Sequence, residues 1–524
     1  MNDQADFPPV DVAVIGAGMA GLSTAVHARL AGLSVRVFEQ HFLPGGLCTA
    51  WTRKGYTFDY CYEYFVGSGK QHGFFPLWRD LGVMEDRKFL HIDSFGRYVG
   101  ADGLEFNLYT DHRRLQEHML ALAPEDARRI KPLCRAIGRL RQFVMSEPAV
   151  TRDGLSFLIR SLPALPTLLR WSGVFVRQWC AGLRNAFLRE AIPALIGWTD
   201  FPLVGPLMAF AWMDADYAAY PLGGSLPVAR AVEQRAVSLG ADIVYRAAVK
   251  RVIVEDGRAV GVELEDGRVQ HARRVVAACD AHAVFERLLE GRVKDQTYEE
   301  LFKNRETSIS LIQVSLGVRP DPAWGLSRLP DKLLLPLVRP MVVDHRERPR
   351  LRVRHYTRDP HMAPPGNTVF IVQMAGDYDR WQTLRSDKDS YRAEKARVLT
   401  EALRALEEHF PGITERIEAS DVATPTTCER YTGNWRGCMQ AWAITPALWK
   451  RSTSGQGLPK TFPGIDRFHL IGQWTEPASG TPPAVKDGRD VVRAIIKAER
   501  RTRNGRFRLP LITRTACAFG PCGD

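Results

Sequence analysis

Two glycine-rich segments, one near each end of the chain, constrain its fold more than anything between them. The first, from Val10 to Gly46, runs VDVAVIGAGMAGLSTAVHARLAGLSVRVFEQHFLPGG. The second, from Phe468 to Ile495, runs FHLIGQWTEPASGTPPAVKDGRDVVRAI. In the first, Val10 to Ile15 is valine-rich and reads as a buried parallel strand. Gly16, Gly18 and Gly21 follow in GxGxxG spacing. The first permits a tight turn, the second lets backbone approach a pyrophosphate, and the third lets the following helix pack on the sheet. That helix, Met19 to Leu30, aims its N-terminal amides and dipole at the phosphates. Gly32 ends it, Leu33 to Phe38 is a second strand, and Glu39 stands where a carboxylate grips ribose hydroxyls. An acid there disfavours a 2′-phosphate, and so NADP. Gly45 and Gly46 turn the choice from NAD toward FAD, because a second glycine pair just past the acid implies chain returning to wrap the same cofactor.

In the second segment Phe468 to Gly472 reads as a strand, followed by a loop and a helix from about Ala484. Gly472 allows close approach, and Thr481, Pro482 and Pro483 lead into the helix, where amides lack partners anyway. The helix dipole then faces the flavin edge on which negative charge develops during reduction. One segment holds the pyrophosphate and the other the isoalloxazine. The candidate cofactor set is Gly16, Ala17, Gly18, Gly21, Glu39, Gln40, Gly45, Gly46, Val249, Gly472, Gln473, Thr481, Pro482, Pro483 and Ala484.

A chain of 524 residues divides into two or three domains. The formal charge of +12 draws on a basic C-terminal stretch, KAERRTRNGRFRLPLITR. A solvated tail accounts for it, as does attraction to an anionic membrane surface; no recognition module accompanies the arginines, which sets nucleic acid aside. Nine cysteines show no CxxC or metal-like spacing, so no metal site is expected. The N-terminus lacks a secretory pattern and no apolar run reaches transmembrane length, which gives a cytoplasmic, at most peripherally membrane-associated, expectation.

Between the glycine segments, Cys48 to Phe65 (CTAWTRKGYTFDYCYEYF) reads as a hairpin turning at Lys54–Gly55, followed by an acid- and tyrosine-rich arm. That arm is either an edge at a domain seam or a segment that brings Glu63 or Tyr64 to the flavin ring. Strand-like segments span Arg87 to Leu108, and Asp111 opens a helical region. Phe157 to Met213 is the most apolar section, punctuated by Arg160, Arg170, Arg177, Arg184 and Arg189. It suits core helices with snorkelling arginines or a patch lying on lipid. A helix over Pro227–Leu239, a strand over Ala241–Tyr245 and a meander from Val249 to Ala278 complete a dinucleotide domain, with Val249 placed to touch adenine. Ser308 to Val318, Leu351 to Tyr356 and Val369 to Met374 are further strands, and Ser390 to Phe410 a helix.

Three stretches carry a resemblance: VIGAGMAGLSTAVHARLAGLSVRVFEQHFLPGGLCTAWTRKGYTFD, YPLGGSLPVARAVEQRAVSLGADI with VKRVIVEDGRAVGVELEDGR, and HLIGQWTEPASGTPPAVKDGRDVV. With RYTGNWRG, they resemble the phytoene desaturase superfamily of FAD enzymes, especially its carotenoid isomerase and retinol saturase branch. The resemblance implies that Gly16, Gly18, Gly21, Glu39, Gly45 and Gly46 hold the ADP half of FAD. It implies that Val249 touches adenine, and that Gly472 and Thr481 to Ala484 lie near ribitol and flavin. It also implies a long hydrophobic polyene as substrate, desaturated, saturated or isomerised. Two places depart from the family pattern: YCYEYFVG, with Glu63 where that branch commonly shows a histidine or similar polar residue, and Gln473–Trp474 with Glu476 after Gly472.

The expected fold is α/β: a discontinuous Rossmann-like FAD-binding domain with a mixed-sheet and helical substrate domain. The FAD domain takes 1–110, 220–300 and 420–500; the substrate domain takes 111–219, including the apolar 157–213, and 301–419; 501–524 is a basic tail. Candidate catalytic residues are Glu63, Tyr64, Glu476 and Arg430. Either glutamate suits acid–base work beside a flavin that exchanges hydride with the substrate, or an ordinary salt bridge with an arginine such as Arg430. Isomerisation on reduced flavin, amine oxidation and a non-catalytic carrier are the alternatives.

Overall fold

The computed structural model describes residues 6–141, 143, 162–197, 199–453, 457–476 and 480–505. Residues 157–161, with Arg160, and the tail beyond 505 lie outside the described residues. Two seven-stranded sheets organise the molecule. The first is built on β1 (Phe7–Ile15), α1 (Met19–Leu30) and β2 (Val35–Glu39). β1 pairs in parallel with β2 on one side and with Val269–Ala277 on the other. Asp242–Tyr245 extends the sheet beyond β2, and the antiparallel strands Val249–Glu255 and Arg258–Leu264 extend it beyond Val269. Phe468–Leu470 joins the far half of Val269–Ala277 in parallel, at Val275 to Ala277. The two ends of the chain therefore share one sheet.

α1 is buried on nearly every side, which suits its run of Ala, Gly, Leu and Val. It packs against Thr481–Gly505 and Ser225–Ser238. Small residues permit the first of these contacts: a Cβ on Gly488 would strike the Ala20 carbonyl oxygen, and the Ser23 hydroxyl donates to the Val485 carbonyl at 2.6 Å.

The second sheet runs Ile417–Ala423, Leu311–Val318, Thr368–Ala375, Arg346–His355, Lys332–Val343, Ser94–Val99 and Glu105–Tyr109. Only the contact between Lys332–Val343 and Ser94–Val99 is parallel. One face is apolar: Val314, Leu316, Leu333, Val353, Phe370 and Val372 form a core with Val398, Ala402 and Leu406 of the helix Lys388–Glu407. The other face is polar, because side chains alternate along each strand. Lys332 stands opposite Arg354, Gln313 opposite Gln373 and Ser315 opposite Ile371.

Several boundaries differ from the sequence reading. The helix after the YPLGG turn begins at Ser225 and ends at Ser238. The strand Lys332–Val343 was not anticipated, since Pro336 and Pro340 argue against a strand interior; register breaks between Pro336 and Met341 accommodate them. Ser94–Val99 and Glu105–Tyr109 belong to the second sheet, not to an FAD unit running to residue 110, and Ile417–Ala423 straddles the expected boundary at 420. The described part of the apolar section folds as four helices, Leu165–Ser172, Val176–Ala181, Ala186–Ile196 and Val204–Asp214. Val204–Asp214 is buried almost all round and packs on Ala127–Leu140, so this section is largely core. Leu162, in the turn before the first of these helices, and Leu165 and Leu169 on it remain 53, 45 and 67 % exposed. No helix among the described residues is long and apolar enough to cross a membrane.

Candidate functional site

The glycine turn is shaped as the spacing predicts. Gly16 adopts φ +98° at the end of β1, a conformation that disfavours any side chain. A Cβ on Gly21 would strike the Gly16 carbonyl oxygen, so the turn and helix touch through bare backbone. A Cβ on Gly18 would meet no atom within 4 Å. Gly18 is also the N-cap of α1 and supplies no side-chain acceptor to the amides behind it. Open space in front of uncapped amides is what a pyrophosphate requires. Glu39 is 7 % exposed and its carboxylate accepts the Ala17 and His41 amides at 2.7 and 2.8 Å. Burial raises its pKa, against the pull of those amides.

Gly45 and Gly46 return to this turn: the Gly45 amide donates to the Ala17 carbonyl at 2.8 Å, and a Cβ on Gly46 would lie 3.5 Å from Gly18 Cα. Gly472 (φ +98°) donates its amide to Asp487 Oδ2 at 2.8 Å, and a Cβ there would lie 3.3 Å from Ala20. The helix Thr481–Gly505 starts at Thr481 with Pro482 and Pro483 in its first turn, and Ala484 donates to Gly480 at 3.3 Å. Arg246 and Ala247 donate to the His41 and Glu39 carbonyls at 3.1 and 2.9 Å, which sets the strand that begins at Val249 beside the acid. Val249 itself is 4 % exposed and accepts Arg287 Nη1 on its carbonyl at 2.7 Å. Gln40 lies against Gly433, and the Gln473 amide donates to Asn434 Oδ1 at 3.0 Å, so RYTGNWRG closes over both glycine segments.

Asp59 to Glu63 forms a wall between this region and a small cavity of about 30 Å³ above the polar face of the second sheet. On the side of the glycine segments, Thr481 lies beside the Tyr62 hydroxyl, and Cys48 Sγ is 3.5 Å from Cys61 Sγ. Asp59 Oδ1 and Oδ2 accept the Ser225 amide and hydroxyl at 2.8 and 3.0 Å. A Cβ on Gly224 would sit 2.8 Å from Asp59 Oδ1, so glycine is required for this contact. Burial pushes the Asp59 pKa up to about 6.

Glu63 pairs with Lys332 at 2.8 Å rather than with Arg430. Its side chain is 36 % accessible, an opening onto the cavity. Burial works to raise its pKa, yet Lys332, Arg352 and Arg354 together hold it below the usual value. Lys332 is itself buried over the Phe95 ring, 4.0 Å from its centroid, and burial lowers its pKa to about 8 despite Glu63. Tyr64 turns from the cavity to pack edge-on against Phe95 in the helical core. Arg430 donates to the Tyr431 hydroxyl at 2.6 Å in an exposed setting, apart from both candidate glutamates. Glu476 pairs with Lys460 at 2.5 Å, and Lys460 bonds Asp487 at the same distance, next to Gly472.

The sequence reading missed Lys332, Arg352 and Arg354. The alternation RPRLRVRH from Arg348 to His355 carried the signal: arginines on one face of a strand, Leu351 and Val353 on the other. One cluster with ligand-like spacing, Asp111, His112 and Asp214, occurs among the described residues. Asp111 caps its helix and Asp214 pairs with His112 at 2.5 Å and Arg141 at 3.4 Å, so its groups are already engaged.

A family model for flavin-containing amine oxidoreductases matches residues 19–496. The chain belongs to that family. Within it the chain is similar to prolycopene isomerase 2 of an Oncidium hybrid, with 22 % identity over 90 % of this chain and 81 % of the relative. It is also similar to a neurosporene-forming phytoene desaturase of Rhodobacter capsulatus, 23 % identical over 92 % of this chain and 93 % of the relative. In structure it resembles cyclohexylamine oxidase from Brevibacterium oxydans, with a TM-score of 0.57 and 16 % identity, covering 94 % of this chain and all of that one (100 %). As a member of the flavin-containing amine oxidoreductases, it is an FAD-dependent enzyme of a superfamily that includes phytoene desaturases and carotenoid isomerases. The glycine turn, the uncapped helix and the returning Gly45–Gly46 fit that cofactor.

Proposed function

We propose that this enzyme exchanges hydride between FAD and a carbon–carbon bond of a long apolar, polyunsaturated substrate. The observation that carries the reading is the charge of the cavity beyond Asp59–Glu63. Lys332, Arg352 and Arg354 outnumber the carboxylates of Asp59 and Glu63 there, so a substrate ammonium would be repelled and an amine is disfavoured. The similarity to polyene enzymes along nine-tenths of the chain supports the same choice. The exposed Leu162, Leu165 and Leu169 supply an apolar face suited to collecting such a substrate from a lipid surface.

FAD, held through the glycine turn, Glu39, Gly45–Gly46 and the Thr481 helix, supplies hydride transfer. Gly16 to Gly21 would hold its pyrophosphate, and the N-terminus of the helix at Thr481 would offer positive potential to the flavin. Glu63 and Lys332 form an ion pair at the cavity wall, where Lys332, its pKa lowered to about 8, is the group able to give up a proton. Tyr60, Tyr62 and the helical core keep bulk water from the reacting bond.

Isomerisation is the second reading, favoured by the prolycopene isomerases among the relatives. Anaerobic incubation of the FAD-loaded enzyme with a host lipid extract, read by chromatography and mass spectrometry, separates the two. Loss or gain of two hydrogens in a polyene is expected. A new isomer of unchanged mass would select the second reading, and turnover of amines alone would overturn both.

A further inference from the structure

The cavity is unusually polar for an enzyme of apolar substrates. Its sheet-side wall carries Lys332 and Arg354 directly opposite one another, and Arg352 two positions along on the same face. The strand pattern forces this, since Leu351 and Val353 must enter the core beneath Lys388–Glu407. Lys332 is buried, and Arg352 and Arg354 are partly buried beside it. Each guanidinium is anchored by one hydrogen bond to a backbone carbonyl, Arg352 to Ala194 at 2.6 Å and Arg354 to Tyr62 at 2.7 Å. Arg354 also lies between the Tyr220 and Tyr356 rings, 4.8 Å from each centroid. A guanidinium offers five N–H donors, so both retain donors for a partner. Among the described residues neither arginine makes an ion pair within 4.0 Å, and Glu63 is engaged with Lys332. Asp59, the other carboxylate, is taken up by Ser225.

Three cations line the cavity against two engaged carboxylates, and Asp331, which also acts on Arg354, is held by Arg358, so the wall carries a net positive charge that an anion would complete. The planar forks of Arg352 and Arg354 match a carboxylate better than a point anion. We propose that this cavity receives the carboxylate end group of the substrate, so that the enzyme acts on an apolar, unsaturated acid whose chain lies beside Asp59–Glu63. This inference rests on the polyene reading above and narrows it. A cavity of about 30 Å³ admits the carboxylate itself, while the chain that carries it lies outside.

The test uses the full-length FAD-loaded protein and a matched pair of probes, all-trans-retinoic acid and all-trans-retinol, with hexanoate as a short carboxylate. Binding is read by quenching of tryptophan fluorescence. The acid is expected to bind at least about tenfold tighter than the alcohol, in line with a buried charge-assisted hydrogen bond. Arg352→Gln should lower that preference to about threefold or less while alcohol binding holds. Lys332→Met provides a second variant should Arg352→Gln fail to retain flavin, and the acid preference should fall there too. Equal affinity for acid and alcohol, or a preference that survives both substitutions, would overturn the end-group assignment and leave the polyene reading standing. Failure of both retinoids to bind would overturn both. Hexanoate binding as tightly as the retinoid acid would make the cavity a free-anion site and also overturn the assignment.

Discussion

The Glu63–Lys332 pair predicts a distinctive dependence of stability on pH. Lys332 is held 2.8 Å from Glu63, and burial still lowers its pKa from 10.5 to about 8. At that separation and an effective dielectric of about 20, the attraction is about 6 kcal/mol. Burial therefore outweighs it, and the fall to about 8 corresponds to roughly 3 kcal/mol against the folded ammonium. Between pH 8 and 10.5 the unfolded chain binds more protons at this site than the folded one. Folding stability contributed by this group accordingly rises with pH across that window. Denaturant unfolding of the FAD-saturated protein, measured at intervals from neutral to alkaline pH, should show wild type gaining about 3 kcal/mol relative to Lys332→Met, which lacks the group. Glu63→Gln removes the attraction, so its window should open below pH 8. At neutral pH its cost is capped at about 1.4 kcal/mol, because the lysine, at a pKa of about 8, can shed its proton instead. Parallel pH profiles for wild type and Lys332→Met would refute the reasoning, as would a Glu63→Gln window displaced upward.

Two further outcomes follow from the glycine turn and the buried histidines. Gly21→Ala should abolish flavin retention, read as co-eluting flavin absorbance, because its Cβ meets the Gly16 carbonyl; Gly32→Asn, at φ +79° with nothing within 4 Å, should retain it. His72 and His355 are each 1 % exposed, and burial lowers both to about 4. From pH 6.5 downward the unfolded imidazoles protonate first, so each should remove up to about 3 kcal/mol of stability by pH 4, and His355→Gln should flatten the acid limb of the unfolding curve.

The cofactor half was legible because its signals are local: the glycine spacing, Gly32, Glu39 and the Val249–Ala278 meander each fix a turn or a register within a few residues. Val204–Asp214 read as apolar, and its burial followed. The cavity was hidden for the opposite reason. Glu63 was singled out, but its partner stands 269 positions away on a strand disguised by two prolines, and nothing near Glu63 distinguishes Lys332 from Arg430. The arginines at 350, 352 and 354 mark one face of a strand, yet which face meets the site depends on packing beneath Lys388–Glu407.

The shared sheet has a consequence for biogenesis. β1 gains Val269–Ala277 as neighbour only after half the chain exists, and Phe468–Leu470 and the Thr481 helix arrive almost last. Until then the apolar side of α1 that receives Thr481–Gly505 has no cover. The nascent chain therefore carries an unfinished nucleotide site through nearly its whole synthesis, and the slow, long-range closure of that site sets when the enzyme can first take up flavin. Ribosome-stalled chains ending before Phe468 should be chaperone-bound and flavin-free, however long they wait.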